Sequence, residues 1–309
     1  MNVNDKIYIT GHDGMVGITL VELLKQNGFH NLIFSSFSDL DLRIQKDVEE
    51  FFSKNKPDYV FHLAAKVGGI QANIETPAEF IYDNLMIQSN IIHNSYKHSV
   101  EKLLFVGSSC IYPRNSVQPM KEEYLLDGKL EPTNESYAVA KIAGINMCQS
   151  YHKQYNSNFI SVMPSNIYGL NDNFNLKNSH VLSALIRRFH DAKINDLSEV
   201  VIWGTGKAKR EFLFVEDLCH AMIFLMQKYN ESEIVNIGSG KDISIKELAN
   251  MIKKVIGYQG KLRFDKTKPD GMPRKLLDIT KINNLGWNAE NSLEEGIEKT
   301  YNWFLKNYA

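Results

Sequence analysis

The chain has 309 residues, enough for one large core with an attached lobe or for two domains sharing a cleft. Hydrophobic residues make up 43%, charged residues 23%, and the formal net charge is -1, which excludes a global field favouring nucleic acid or an anionic membrane. No apolar run approaches the roughly 20 residues that span a bilayer, no signal-peptide pattern precedes the first strand, the three cysteines form no Cys-x-x-Cys pair and the nine histidines show no metal spacing, so a cytoplasmic protein with reduced thiols and no metal is expected.

In chain order, residues 6–10 form a short β-prone run, followed by glycines at 11, 14 and 17 and a helical pattern over 15–27. Strand, glycine loop and helix in that order let backbone amides at a helix N-terminus approach a pyrophosphate, with Gly11, Gly14, Met15, Val16 and Gly17 as the cradle. Further strands are expected over 31–35, 58–63, 102–107 and 159–164, alternating with helices over 45–54, 76–98 and 136–156. This rhythm predicts a Rossmann-type, doubly wound parallel α/β sheet, whose strand C-termini line a cofactor crevice. Leu63, Ala64 and Ala65, then Gly107 and Ser108, then Pro164, Ser165 and Asn166 all fall at such ends.

After about residue 167 the rhythm loosens into loops, a helix over 180–193, strands over 200–203 and 210–214, and helices over 215–228, 244–257 and 292–307, the last with Trp303 and Phe304 expected to be buried. The expected division is a dinucleotide-binding domain over 1–170, to which 215–238 returns, and a smaller C-terminal α/β substrate-binding lobe mainly over 171–309.

Tyr137 and Lys141 are four residues apart and share a helix face, so the lysine cation is expected to lower the tyrosine pKa toward working pH. Ser108 ends an apolar run and faces the same crevice. These three can polarise one carbonyl oxygen while a nicotinamide delivers hydride. After the second expected strand, Phe34 to Ser38 offers neither the carboxylate that favours NAD nor an arginine for NADP, only serine hydroxyls, while Asp41 and Leu42 are placed to touch the adenine.

Taken together, the stretches Gly11 to Gly17, Ala64 to Ile70, Gly107 to Pro113, Glu131 to Tyr137, Asn166 to Phe174, Ser179 to Val181, Trp203 to Gly206, Arg210 to Phe212 and Lys268 to Lys275 resemble the extended short-chain dehydrogenase/reductase family. Within it they resemble the epimerase-reductases acting on GDP-4-keto-6-deoxymannose. The resemblance covers nearly the whole chain. It implies proton exchange at carbons 3 and 5 of the sugar by Cys110 and His180, reduction at carbon 4 with Ser108 and Tyr137 on the keto oxygen, and Lys141 on the nicotinamide ribose. Taken alone, Cys110 reads as a small core residue and His180 as a helix-entry residue. The resemblance further implies NADPH as cofactor, with NADH the alternative, contacted also by Ser36, Pro164, Asn166, Ile167 and His180. It places the GDP-sugar on Asn166, Arg188, Trp203, Arg210 and Asp270, where arginines suit phosphates and an indole suits base stacking.

A homodimer through a four-helix bundle of the helices over 76–98 and 136–156 is the implied assembly. Phe80, Ile81, Met86, Ile91 and Ile92 fit either that interface or the chain's own sheet. Two other readings stay open: a carbon-4 reductase without epimerase activity on another GDP-4-keto sugar, such as a 6-deoxyheptose or colitose precursor, and a non-catalytic nucleotide-binding regulator.

Overall fold

The computed structural model describes residues 1–176, 179–268 and 270–308. Its centre is a six-stranded, wholly parallel sheet. The chain enters it through β1 (Ile7–Thr10), α1 (Met15–Gln26), β2 (Leu32–Ile33), α2 (Gln45–Asn55) and β3 (Tyr59–His62). Two helices, α3 (Ile70–Glu75) and α4 (Pro77–Lys97), lead to β4 (Lys102–Val106), then α5 (Glu135–Tyr155) and β5 (Phe159–Pro164). β1, β3, β4 and β5 are mostly apolar and almost entirely buried, as strands covered on both faces must be.

The second part of the chain brings β6 (Asn166–Tyr168), α6 (Val181–Ile194), β7 (Glu199–Trp203), β8 (Lys209–Phe214), α7 (Val215–Lys228) and β9 (Val235–Ile237). It closes with β10 (Asp242–Ser244), α8 (Ile245–Ile256), β11 (Lys261–Asp265), β12 (Arg274–Lys275), α9 (Thr280–Leu285) and α10 (Leu293–Asn307). Ser244 with Glu247 and Ser292 with Glu295 form capping boxes that start α8 and α10.

The large sheet runs β2-β1-β3-β4-β5-β9, so the order reverses between β1 and β3 and the crevice opens at the C-terminal ends of those strands. One face is filled by Leu20 and Leu24 of α1 and by Leu218, Met222 and Leu225 of α7. Val48, Phe52, Ile91, Ile92, Ile142 and Ile145 of α2, α4 and α5 fill the other. A third apolar cluster joins α6, α8 and α10 over the smaller sheets. In these, β8 pairs β6, β10 and β12, and β7 pairs β11.

Phe80, Ile91 and Ile92 are buried in the chain's own core, which leaves only the half-buried Ile81 and Met86 of the five candidates for a partner. Phe304 is buried as expected, whereas Trp303 is only half-buried, its ring stacked 6.1 Å from that of Phe174 at the surface of the C-terminal helix. Among the described residues, no helix is long and apolar enough to cross a membrane.

Candidate active site

Glycine is demanded at the first crevice loop by close approach. Gly11 has a φ of 68°, and a Cβ there would lie 3.0 Å from the backbone of Ala64. A Cβ on Gly17 would sit 2.1 Å from the Gly11 carbonyl oxygen. Gly14 precedes the first turn of α1, where no side chain caps the helix, leaving the amides of Met15, Val16 and Gly17 for an anion. The cradle thus fits a dinucleotide pyrophosphate. Beneath it, the Thr10 hydroxyl accepts from the amides of Leu63 and Ala64, each at 3.0 Å, and bonds His62 Nδ1 at 2.9 Å. With two amides donating to it, Thr10 must donate to the ring, which is therefore neutral at Nδ1. Burial, aided by the Lys141 charge, pushes His62 down to about 3. This device fixes Leu63, Ala64 and Ala65 against the glycine loop.

Beyond β2, Ser36 Oγ lies 2.8 Å from Ser38 Oγ. Asp41 is occupied by Arg43, whose Nη2 approaches to 2.7 Å and holds the carboxyl below its usual range, while the guanidinium also reaches Asp83 at 3.0 Å and lies over Phe37. The Leu42 carbonyl accepts from the buried Asn90. Pro164 ends β5. Asn166 and Ile167 follow in β6, where the Asn166 amide donates to the Glu211 carbonyl at 2.7 Å.

The chemistry-bearing side chains meet where β4 ends and α5 begins. α5 lies tight on β4 because Gly144 has no side chain; a Cβ there would be 2.4 Å from Phe105 Cζ. Lys141 is thereby buried, donates to the Val106 carbonyl at 2.9 Å, and has its ammonium 4.9 Å from the Phe105 ring and 5.8 Å from that of Tyr137. Burial brings it down to about 7.

The expected lowering of Tyr137 by Lys141 is not what the geometry gives. The lysine sits over the ring and is turned to a backbone carbonyl, and Tyr137 is pushed up by burial and by the neighbouring Cys110, with only the Ser108 hydrogen bond opposing. A phenol kept protonated is a proton donor in waiting.

Ser108 stands in extended backbone, and its Oγ accepts from the Cys110 amide at 3.2 Å. Its hydroxyl also lies near enough to the Tyr137 phenol and the Cys110 thiol to favour the ionised form of each, so the three side chains form one cluster. Cys110 receives two donors that the sequence did not announce: Asn134 Nδ2 at 3.1 Å and Lys275 Nζ at 3.2 Å. Burial pushes the thiol up, but the Lys275 charge and the hydrogen bonds from Ser108, Lys275 and Asn134 outweigh it and hold the group below its ordinary value.

His180 is the exposed N-cap residue of α6. It lies close enough to the buried Asp172 for its charge to pull that carboxyl down, against the larger upward push of burial; Asp172 also accepts a hydrogen bond from Ser183.

Across the crevice, Arg188 of α6 donates to the Val201 carbonyl at 3.2 Å and lies 5.4 Å over the half-exposed ring of Trp203, which also carries Lys268 at 5.2 Å. Arg210 of β8 donates to the carbonyls of Lys209 and Asp270 and is near enough to Cys110 to feel its charge. The Asp270 carboxylate accepts from the Thr205 amide and hydroxyl, each at 2.7 Å. It therefore holds the turn that follows Trp203. Ser108, Cys110, Tyr137, Lys141 and Arg210 converge, while Ser36 and Asp41 lie at the β2 edge of the large sheet.

Residues 7–238 match the model of the NAD dependent epimerase/dehydratase family. The chain is 56% identical over 302 residues to GDP-L-fucose synthase 1 of Arabidopsis thaliana, covering 98% of this chain and 94% of the relative. Among solved structures, a GDP-6-OMe-4-keto-L-xylo-heptose reductase from C. jejuni is 41% identical with a TM-score of 0.95, over 99% of both chains. A GDP-L-fucose synthetase from Naegleria fowleri bound to NADP is 30% identical with a TM-score of 0.92, over 100% of this chain and 95% of that one. Strand order, glycine cradle and near full-length identity agree: the chain belongs to the NAD dependent epimerase/dehydratase family, with GDP-L-fucose synthases among its relatives.

Proposed function

We propose that this chain is an NADPH-dependent epimerase/reductase of a GDP-4-keto-6-deoxy sugar, acting as GDP-L-fucose synthases do, in the cytoplasm and as a homodimer. The observation that carries the reading is the cluster of Ser108, Tyr137 and Cys110, in which the Cys110 amide donates to Ser108 Oγ and the sulfur accepts from Asn134 and Lys275. A keto oxygen held by Ser108 and Tyr137 lies beside the thiol, so one pair of donors serves both an enolate and a reduction alkoxide. Cys110 takes the proton on the carbon beside the ketone, and His180 returns one from the other side. When bound, the reduced nicotinamide supplies the hydride to carbon 4. Tyr137 then gives its phenolic proton to the oxygen, and Lys141 orients the ribose. Arg188 and Arg210 meet the diphosphate and Trp203 the base, with Asp270 setting the turn beneath it.

The test is incubation of the protein with GDP-4-keto-6-deoxymannose in deuterated water with NADPH or NADH, followed by absorbance and NMR. Deuterium at carbons 3 and 5 with NADPH consumption is the expected result. Reduction without exchange would replace this reading with a plain carbon-4 reductase, which the likeness to the heptose reductase favours. No turnover with any keto sugar would favour a nucleotide-binding regulator.

A further inference from the structure

The Cys110 sulfur accepts from two side chains brought from distant parts of the chain, Asn134 Nδ2 at 3.1 Å and Lys275 Nζ at 3.2 Å. A neutral thiol is a poor acceptor, and an ammonium and a carboxamide aimed at one sulfur form a thiolate site. We infer that Lys275, with Asn134 as second donor, is a positioning residue that holds Cys110 as a thiolate and so as the base of the epimerisation. The catalytic half of this inference rests on the epimerase reading above.

The placement follows from strand pairing. β12 lies parallel to β8 with Lys275 opposite Arg210. Alternation along β12 sends the adjacent Arg274 elsewhere, to Asp242. Arg210 is turned to the carbonyls of Lys209 and Asp270, so direct contact with the sulfur falls to Lys275. Among the described residues, the other ionisable groups facing Cys110 are the Tyr137 phenol on α5 and Arg210 on β8, with Glu131 acting on Arg210 from the loop before α5. The thiol lies below its ordinary value despite burial, as this geometry requires. In the step it serves, the sulfur bonds the proton of the carbon beside the ketone. The C–H electron pair passes into the enolate and onto the keto oxygen, which accepts hydrogen bonds from Tyr137 and Ser108. Lys275 keeps its proton and charge throughout, and the thiol resets by losing its proton to water.

Cys148 and Cys219 are 1% and 0% exposed, so iodoacetamide acting on the folded, full-length protein reports Cys110. The alkylation rate, followed by mass spectrometry against pH, is expected to rise with a midpoint below the ordinary cysteine value of about 8.5. Lys275→Gln should raise that midpoint by about one unit or more, Lys275→Arg should restore it, and Asn134→Ser should raise it by less. A wild-type midpoint at or above the ordinary value overturns the inference, as does a folded Lys275→Gln protein with an unchanged midpoint. Should Lys275→Gln fail to fold, the wild-type and Asn134→Ser midpoints decide. Solvent-deuterium exchange into GDP-4-keto-6-deoxymannose, run alongside, should be lost in Lys275→Gln at neutral pH and recovered in alkali. Unimpaired exchange in that variant overturns the catalytic half. A wild-type protein that exchanges nothing counts against the epimerase reading, while the thiol titration still decides the ion pair.

Discussion

At the residue scale the site is a set of displacements from ordinary chemistry, each with a local cause. Tyr137 is kept protonated because it is buried beside a thiol with an anionic tendency, and only the Ser108 hydroxyl works against that. Tyr137→Phe keeps the ring and its edge-on contact with Phe80 but removes the proton donor. Turnover of the reduction should fall about 10²- to 10⁴-fold with KM little changed; steady-state kinetics showing near-normal kcat would remove Tyr137 from the mechanism. Tyr137, Lys141 and Ser108 were legible because their spacing and position at a strand or helix end carry the signal. The donors to Cys110 were not, since Asn134 and Lys275 stand 24 and 165 residues from it in sequence and meet it only after β12 has found β8. The electrostatic relation of Lys141 to Tyr137 also escaped the sequence. Helical spacing puts two side chains on one face but does not say that the ammonium turns to the Val106 carbonyl.

At the element scale, β8 organises the smaller lobe and carries its most unusual ionisable group. Glu211 is 1% exposed, and its carboxylate accepts the amides of Gly240 at 2.7 Å and Leu277 at 2.9 Å, yet burial still raises it from 4.5 to about 7. The folded state therefore holds the proton more tightly than the unfolded chain. The contribution of this group to stability is complete below about pH 4.5, declines as pH rises, and is lost above about 7. At about 1.4 kcal/mol per unit, the change across that window is about 3 kcal/mol. Urea unfolding of wild type and Glu211→Leu at several pH values should show curves that differ in slope between pH 5 and 7, and parallel curves would contradict the assignment. Long helices and strands such as α4, α5 and β5 were legible to within a residue or so at each end from periodicity. β6, β10 and β12, of two or three residues each, were not, because such segments are strands only by virtue of a partner.

At the scale of the whole molecule, the long helices α4 and α5 pack side by side over the sheet and still present Tyr82 and Val139 to solvent. If the homodimer forms there, light scattering should give twice the chain mass, and Tyr82→Glu should shift the protein to monomer at micromolar concentration. An unchanged mass in that variant would move the interface elsewhere. A second consequence of the whole fold follows from β8 running directly into α7, which covers one sheet face before β9 completes the edge. The two halves of the crevice are stitched twice, so the gene has no seam. A fragment ending at Tyr168 would leave β5 as a bare hydrophobic edge and uncover Leu20 and Leu24, and should be recovered as aggregate where the whole chain is soluble. Transfer of this sheet by simple end-to-end gene fusion is thereby closed off, because the sheet and the elements that follow Tyr168 can only be inherited together.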